Sequence, residues 1–306
     1  MPETSFVSVI IPYYNRLTLV QEAVENVIAQ SYRPIEIILV DDCSQEAAPT
    51  QWTNCTEANG IRIKYYRNEK NLGPGGARRN GRAIATGVYI AYLDSDDRWE
   101  ASYLEKLVSI LQNSPEVGMA FCNTATYTGG ALSKFRVNGE KITDILPALF
   151  TKRYWCTSSA VWRAGVSRAV FWHDIRDHED YLHEINCATV NNTCIYHNEA
   201  LCLNYKDAPA RIMRSQKEVS KFLEAFLALQ QIHNGYKKEA LTFLLKLFRD
   251  RKFGIRNTHW QVWAKVLVQL ISINLIAGLY FFSALCINKG IKKRLYNKSI
   301  GFLSNQ

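Results

Sequence analysis

The chain has 306 residues, of which 47% are hydrophobic and 21% charged, a composition typical of a globular protein rather than a disordered one. This length allows a full hydrophobic core and predicts about two domains. The net charge of +9 is unevenly spread, because residues 211–306 hold seventeen basic and four acidic side chains while the first 210 residues are slightly acidic. The basic C-terminal part favours phosphate groups, nucleic acid or an anionic membrane as a partner.

The cysteines and the start of the chain indicate a reducing compartment. Eight cysteines are scattered without a C-x-x-C pair or zinc-type spacing, which predicts buried thiols. The first apolar run, SFVSVIIP, is too short before Pro12 for a cleaved signal peptide. We therefore expect a cytoplasmic protein.

The first 125 residues alternate between strand-like and helix-like segments. Strands are predicted within 6–15, 35–44, 61–68, 88–97 and 117–123, and helices over 17–31, 74–87 and 100–114. Such alternation, with near-continuous hydrophobic strands, predicts an α/β fold with a mostly parallel central sheet and helices on both faces. Ligands of such sheets bind at the carboxyl ends of the strands. Pro12–Asn15, Asp41–Ser44 and Asp94–Asp97 follow three of these strands and should meet in one cleft.

The second half of the chain has weaker signals. We expect a strand and turn at 155–166, a helix over 178–190 and two amphipathic helices within 216–248, broken near Asn234-Gly235. Residues 266–287 contain no charged side chain and are long enough to span a bilayer. Four polar residues dilute this segment and basic residues flank it, so an interfacial helix, a membrane span and a soluble packing helix all stay open.

The segment VYIAYLDSDDRW (88–99) places three carboxylates within four residues at the end of a buried strand. Carboxylates this close raise one another's pKa or recruit a cation. Oxygen ligands suit Mg²⁺ or Mn²⁺, and such an ion commonly keeps open positions for substrate phosphates. The alternative is that DSDD caps a turn and the following helix. Asp41-Asp42, at a second strand end, favours a metal-bridged diphosphate.

Four motifs in order resemble the inverting nucleotide-sugar glycosyltransferases of family two, which have the GT-A fold. They are VSVIIPYYNR, IEIILVDDCS, NLGPGGARRNGRAIATGVYIAYLDSDDRW and HEDYL. The resemblance implies a glycosyltransferase domain over 1–215, with a nucleotide-sugar part at about 1–124 and an acceptor part at about 125–215. Residues 216–306 would form a separate basic helical region.

The resemblance also implies a role for each motif residue on the donor side. Pro12, Tyr14 and Asn15 would line the nucleoside pocket, and Asp42, or otherwise Asp41, would bind the base edge. Arg78, Asp94 and Ser95 would bind the rest of the nucleotide sugar, with Asp94 on the ribose hydroxyls. Asp96 would hold Mn²⁺ or Mg²⁺, and Asp97 would be a supporting residue or a helix cap. Arg79 stands where the family usually has Asn.

On the acceptor side, Asp180 of HEDYL matches the catalytic base of the family, and Glu179 would position it. The alternative is that both acids only stabilise the start of a helix. His178 and His183 are expected to line the site, since their five-residue separation does not suit one metal. Arg211 or Arg214 could reach the diphosphate.

These features predict transfer of a sugar, as from a UDP-sugar, to a hydroxyl of a glycan or lipid-linked glycan in cell-surface polysaccharide synthesis. A catalytically inactive nucleotide-sugar-binding or assembly protein on the same fold is the alternative. The basic region is expected to contact the inner face of the cell membrane. Nucleic acid is not an expected partner, because no recognised module accompanies the basic residues.

Overall fold

The computed structural model describes residues 6–53, 57–129, 131–135, 142–151, 153–175, 178–205 and 235–249, with a few helical residues beyond them. The chain divides into two compact units. The first comprises residues 1–145 and 153–212, and the second comprises 146–152 and 213–306. The domain boundary expected near residue 215 stays a prediction.

The first unit is built on one ten-stranded sheet, in the order β3-β4-β2-β1-β5-β9-β7-β10-β6, with β8 paired to β7. Its strands are β1 Val7–Tyr13, β2 Ile35–Asp41, β3 Glu57–Ala58, β4 Ile61–Arg67, β5 Tyr89–Tyr92, β6 Asp97–Trp99, β7 Met119–Thr128, β8 Ala131–Phe135, β9 Ala160–Arg163 and β10 Cys194–Tyr205. The helices of this unit are α1 Leu17–Ile28, α2 Thr50–Thr53, α3 Gly73–Ile84, α4 Tyr103–Asn113, α6 Ala164–Arg168 and α7 Glu179–Val190. A 3₁₀ turn covers Thr157–Ser159, and α5, Ile145–Thr151, is kinked at Leu146.

Strands β4, β2, β1 and β5 run parallel, as expected from their apolar sequences. Every residue of β1 and β2 is buried, because helices cover both faces of this half of the sheet. Helix α3 lies very close to the sheet at Gly81, where an added Cβ would be 2.6 Å from Ile10 Cγ2. This contact explains why a glycine stands in the middle of that helix.

The other half of the sheet is mixed, which the sequence did not predict. Strand β9 is antiparallel to both β5 and β7, and β6 is antiparallel to β10. These strands have only three or four residues, too few for a period of two to be recognised. Strand β10 has its register interrupted between His197 and Cys202, so its alternation is also hidden.

The second unit contains α8, Lys237–Arg249, whose Phe243 ring lies 5.7 Å from that of Phe150. Among the described residues, no helix is both long and apolar enough to cross a membrane. Most of the 266–287 segment, Arg211, Arg214 and the helix expected before Asn234 lie outside the described residues. The predictions for them therefore stay as they were.

Candidate active site

The loops after β1, β2 and β5 meet at the carboxyl edge of the sheet. The loop after β1 contacts both others, because β1 lies between β2 and β5. The Asn15 backbone N–H donates to Ser44 Oγ at 2.9 Å, and Arg16 Nη1 lies 3.2 Å from Asp96 Oδ2. Asn15, Cys43 and His178 have positive φ, and these are three of the four non-glycine residues described with such φ. Strained backbone of this kind is concentrated at functional sites.

Asp41 and Asp42 are both buried and held by protein donors. Asp41 Oδ2 accepts from Arg67 Nη1 at 2.6 Å and from the Tyr65 hydroxyl at 2.9 Å. Asp42 accepts the backbone N–H groups of Leu72 and Gly73, both at 2.8 Å. Asp42 therefore satisfies orphan donors at the start of α3, a structural role that the motif alone does not reveal.

Pro12 and Tyr14 lie on either side of the end of β1. Pro12 is buried in the strand, opposite Val40 of β2. Tyr14 follows the strand with 38% of its surface exposed, whereas the neighbouring Tyr13 is buried. Of these three residues, Tyr14 has the ring that a planar ligand could reach.

The acidic loop Asp94–Asp97 separates its carboxylates rather than stacking them together. Arg78 Nη2 lies 2.6 Å from Asp94 Oδ1, whereas Asp96 faces Arg16. Asp97 is buried, and it accepts from Ser158 Oγ at 2.5 Å and from Asn204 Nδ2 at 2.8 Å. Ser95 is also buried, and its carbonyl accepts from Arg98 Nη1. Asp94 and Asp96 thus each face a different arginine, which offsets the repulsion within the loop.

Asp97 is not a helix cap, which corrects one of the two readings of this residue. It begins β6, and α4 starts only at Tyr103. The reason is that residues 97–99 pair with β10, with Trp99 opposite Cys202. Asp97 instead supports the acidic loop from the inside.

Arg78 joins the acidic loop to the start of α7. It lies 5% exposed between Asp94 and Glu179, with Nη1 at 3.0 Å from Glu179 Oε1. Its guanidinium also lies over the Trp172 ring, 5.0 Å from the centroid. Burial raises the pKa of Glu179 to about 7, with Asp180 adding to the rise and Arg78 opposing it. The Arg78 side chain thus connects Asp94 in the acidic loop to Glu179 at the start of α7, although these two acids are far apart in the sequence.

Asp180 is held by a second arginine, Arg153, which lies outside the four sequence motifs. Arg153 Nη1 lies 2.5 Å from Asp180 Oδ2, and the same guanidinium pairs with Glu184. Burial acts to raise the pKa of Asp180, but Arg153, followed by Arg78, holds it well below the ordinary value. Asp180 remains ionised at neutral pH and is 22% exposed at its side chain.

The 3₁₀ turn Thr157–Ser159 supports both acidic groups. Ser158 Oγ accepts the backbone N–H of Asp94 at 3.1 Å and donates to Asp97, while Thr157 Oγ1 donates to Asp180 Oδ2 at 3.4 Å. Trp99 Nε1 anchors the turn through the Ser158 carbonyl at 2.6 Å. This turn fixes the acidic loop relative to the start of α7.

The two histidines of this region have different positions. His178 precedes α7 in the left-handed region, with φ of 63°. His183 is 1% exposed and stacks on Trp172, with the ring centroids 4.0 Å apart. Burial lowers the pKa of His183 well below its usual range, so it is neutral. His183 belongs to the core and does not line the site, because α7 turns it inward.

The acidic loop suits a hard divalent cation. Asp94 and Asp96 offer carboxylate oxygens, the ligand type that Mg²⁺ and Mn²⁺ prefer, and both side chains are partly exposed. A second acid-containing group, Asp97 with Cys156 and Cys202, has its ligand atoms within 4.8 Å of one another but is fully buried. Burial raises the pKa of Asp97 and of the Cys202 thiol, which disfavours the ionised ligands that a metal ion would need.

The sequence carries one overlooked signal for Arg153. Asp180 and Glu184 are four residues apart on α7 and therefore share one face of the helix. Two carboxylates on one buried helix face predict a basic partner, but the sequence does not identify Arg153 as that partner. Ser158 and Arg16 have no such signal, because their partners are fixed only by the tertiary fold.

The fold is that of GT-A glycosyltransferases, and the sequence profile of Glycosyl transferase family 2 matches residues 8–172. This match covers more than half of the chain, which therefore belongs to that family.

Two relatives and one solved structure illustrate the similarity. An uncharacterised glycosyltransferase of Nostoc sp. is 33% identical over 171 residues, covering 54% of this chain and 53% of the relative. The amylovoran biosynthesis glycosyltransferase AmsB of Erwinia amylovora is 34% identical over 113 residues, covering 37% of each chain. The chain spans about half of the length of these relatives, or less. S. aureus TarS 1-349 in complex with UDP-GlcNAc shares the fold with a TM-score of 0.70 and 17% identity, over 98% of this chain and 91% of that chain.

Proposed function

We propose that the protein is an inverting, metal-dependent glycosyltransferase that moves a sugar from a nucleoside diphosphate to a hydroxyl of a glycan or lipid-linked glycan. The observation that carries the proposal is the double contact of Arg78 with Asp94 and Glu179, which puts the acidic loop and the HEDYL helix at one site. The family and a relative that acts in amylovoran biosynthesis support cell-surface polysaccharide synthesis as the setting.

The donor binds at the carboxyl edge of the sheet. Tyr14 offers an exposed ring for the base, and the loop containing Asp41 and Asp42 contacts the backbone around Asn15. Asp94 would bind the ribose hydroxyls, and its side chain is 35% exposed. A UDP-sugar is the first donor to test, because TarS, which has the same fold, was crystallised with UDP-GlcNAc.

Asp96, with Asp94 beside it, would hold Mn²⁺ or Mg²⁺. When bound, the ion neutralises charge on the leaving diphosphate. Arg16 contacts Asp96 at 3.2 Å and is close enough to bind a phosphate oxygen as well. Arg78 stays with Asp94 and Glu179, and so fixes the acidic loop during the reaction.

Asp180 acts as the base. The acceptor oxygen attacks the anomeric carbon, the bond to the diphosphate oxygen breaks with its electron pair, and the hydroxyl proton moves to Asp180. Asp180 Oδ2 is held by Arg153 and Oδ1 accepts the Tyr181 N–H at 2.9 Å. Each carboxylate oxygen has two lone pairs, so Oδ1 can still receive the proton.

The basic region 216–306 would place this domain at the inner face of the cell membrane. The support is the charge of this region, which holds fifteen basic side chains and four acidic ones. Sedimentation of the full chain with phosphatidylglycerol vesicles tests this contact. Binding at low salt that is lost at high salt is expected, and a chain that stays in the supernatant with these vesicles contradicts it.

A screen of nucleotide sugars tests the enzymatic proposal. The full chain is incubated with each donor and Mn²⁺, with or without chelator, and release of the nucleoside diphosphate is measured. One donor should be consumed faster than the others, and only when metal is present. Binding without any turnover, with or without glycan acceptors, would instead favour an inactive nucleotide-sugar-binding protein.

A further inference from the structure

Arg153 is shared between two carboxylates of α7. Its Nε lies 3.1 Å from Glu184 Oε2, Nη2 contacts Glu184 Oε1, and Nη1 lies 2.5 Å from Asp180 Oδ2. The guanidinium stacks on the Tyr181 ring, 4.8 Å from its centroid, and donates to Thr157 Oγ1 at 3.3 Å. The side chain is 11% exposed, so these contacts hold it in one orientation.

The site has more acids than cations. Asp94, Glu179, Asp180 and Glu184 face the two arginines, Arg78 and Arg153, that pair with them. Repulsion among these carboxylates favours proton uptake by the two most buried of them, Glu179 and Glu184. Where those protons go decides which acid can serve as a base.

The surroundings of the three acids on α7 differ. Burial raises the pKa of Glu184 to about 7 against the opposing effect of Arg153, and Glu179 has the same value beside Arg78. The pKa of Asp180 is instead lowered, because Arg153, Arg78 and His178 together outweigh the effect of burial. The groups facing Asp180 are His178, Glu179, Tyr181 and Glu184 on α7, Arg78 on α3, and Arg153 and Thr157 before β9.

We propose that Arg153 is a positioning residue that keeps the Asp180 carboxylate ionised and fixes its orientation. By occupying Oδ2 it also leaves Oδ1 as the oxygen that receives the acceptor proton. Asp180 as the base is part of the proposed function, on which this second statement rests. The ionised state of Asp180 does not depend on whether Asp180 acts as the base.

The ionisation of Asp180 can be observed directly in the full chain. We would label the aspartate side-chain carboxyl carbons with ¹³C, identify the Asp180 resonance by its loss in Asp180→Asn, and titrate from about pH 4 to about pH 7. The wild-type resonance should stay at its ionised position throughout. In Arg153→Gln it should move within this range, because burial and neighbouring acids then act against one fewer arginine. Arg153→Lys should behave like the wild type.

Arg163→Gln is the matched control. Arg163 is also partly buried, but it donates to the carbonyls of Val117 at 2.6 Å and Ser114 at 2.7 Å, and none of its partners among the described residues lies at the site. Its variant should lose stability without moving the Asp180 resonance. An Asp180 resonance that is unchanged in a folded Arg153→Gln variant, or that moves equally in Arg163→Gln, would overturn the proposal.

A kinetic measurement separates this proposal from the proposed function. Arg153→Gln should lower kcat by about 10²-fold, the range expected for a misplaced base, with the donor KM unchanged and with partial recovery in Arg153→Lys. If the wild type transfers no sugar while the resonances behave as expected, the enzymatic function fails and the role of Arg153 in keeping Asp180 ionised stands. If kcat falls but the resonance does not move, Arg153 does not keep Asp180 ionised.

Discussion

Replacement of Ser158 by alanine removes two buried hydrogen bonds at the point where the acidic loop meets the 3₁₀ turn. Ser158 Oγ donates one of them to Asp97 Oδ2 at 2.5 Å and accepts the other from the Asp94 backbone N–H at 3.1 Å. An unpartnered N–H in a largely buried place costs about 1–3 kcal/mol, and the lost bond to Asp97 about 1 kcal/mol more. We therefore expect Ser158→Ala to lower the free energy of unfolding by about 2–4 kcal/mol.

The same change should also weaken donor binding. Asp94 and Asp96 would lose a fixed backbone position, and we expect the affinity for the selected nucleotide sugar with Mn²⁺ to fall by about tenfold, or about 1.4 kcal/mol. Urea denaturation gives the first quantity and titration calorimetry the second. The Ser158 carbonyl keeps its bond from Trp99 Nε1 at 2.6 Å, so the turn itself should survive.

Ser159→Ala is the control for this experiment. Ser159 is equally buried and its hydroxyl also makes two hydrogen bonds, to the N–H and the carbonyl of Cys156 at 2.9 and 3.1 Å. It should therefore destabilise the fold without weakening donor binding. Equal loss of donor affinity in both variants, or full affinity in Ser158→Ala, would refute the idea that this contact positions the loop.

Three further predictions concern packing, pH and metal. Gly81→Ala should destabilise by about 1–3 kcal/mol in urea denaturation, because the new Cβ would lie 2.6 Å from Ile10 Cγ2, whereas Gly165→Ala meets no atom within 4 Å and should be nearly neutral. The pKa of Glu179 is raised from 4.5 to about 7, so the folded state binds a proton that the unfolded state releases, and stability should fall as pH rises through that window. Glu179→Gln should flatten this slope in urea titrations, and an unchanged slope contradicts the assignment. Asp96→Asn should reduce Mn²⁺-dependent donor binding to the level seen with chelator, and retained metal dependence would place the ion elsewhere.

The parallel half of the fold was predictable because its strands are long, apolar and separated by periodic helices. The placement of Asp41 and Asp94 at one edge follows from these runs, because β1 pairs in parallel with both β2 and β5. Strand β9 lies within the strand and turn expected at 155–166, but its antiparallel pairing was not predictable, and β6, with three residues, carries too little pattern to be recognised. Their pairing depends on tertiary contacts such as that of Trp99 with β10.

The candidate site was predictable in its acids but not in its cations. Asp94, Asp96, Glu179 and Asp180 stand out because they form short motifs at element ends. Arg153 and Ser158 lie in stretches without a motif, and only the folded chain brings them to Asp180 and Asp97. Asp42 was recognised from its motif, but its structural role was not predictable. That role, which is to accept the N–H groups of Leu72 and Gly73 at the start of α3, appears only in the folded chain.

The proposed enzyme binds a nucleotide sugar through the acidic loop and transfers the sugar at the same site with Asp180 as the base. The most direct test is a paired measurement on the wild type and Asp180→Asn, with donor affinity by calorimetry and transfer rate to the acceptor under the same Mn²⁺ conditions. We expect Asp180→Asn to bind the donor as the wild type does and to transfer it at least about 10²-fold more slowly. Transfer at the wild-type rate by Asp180→Asn would contradict the account.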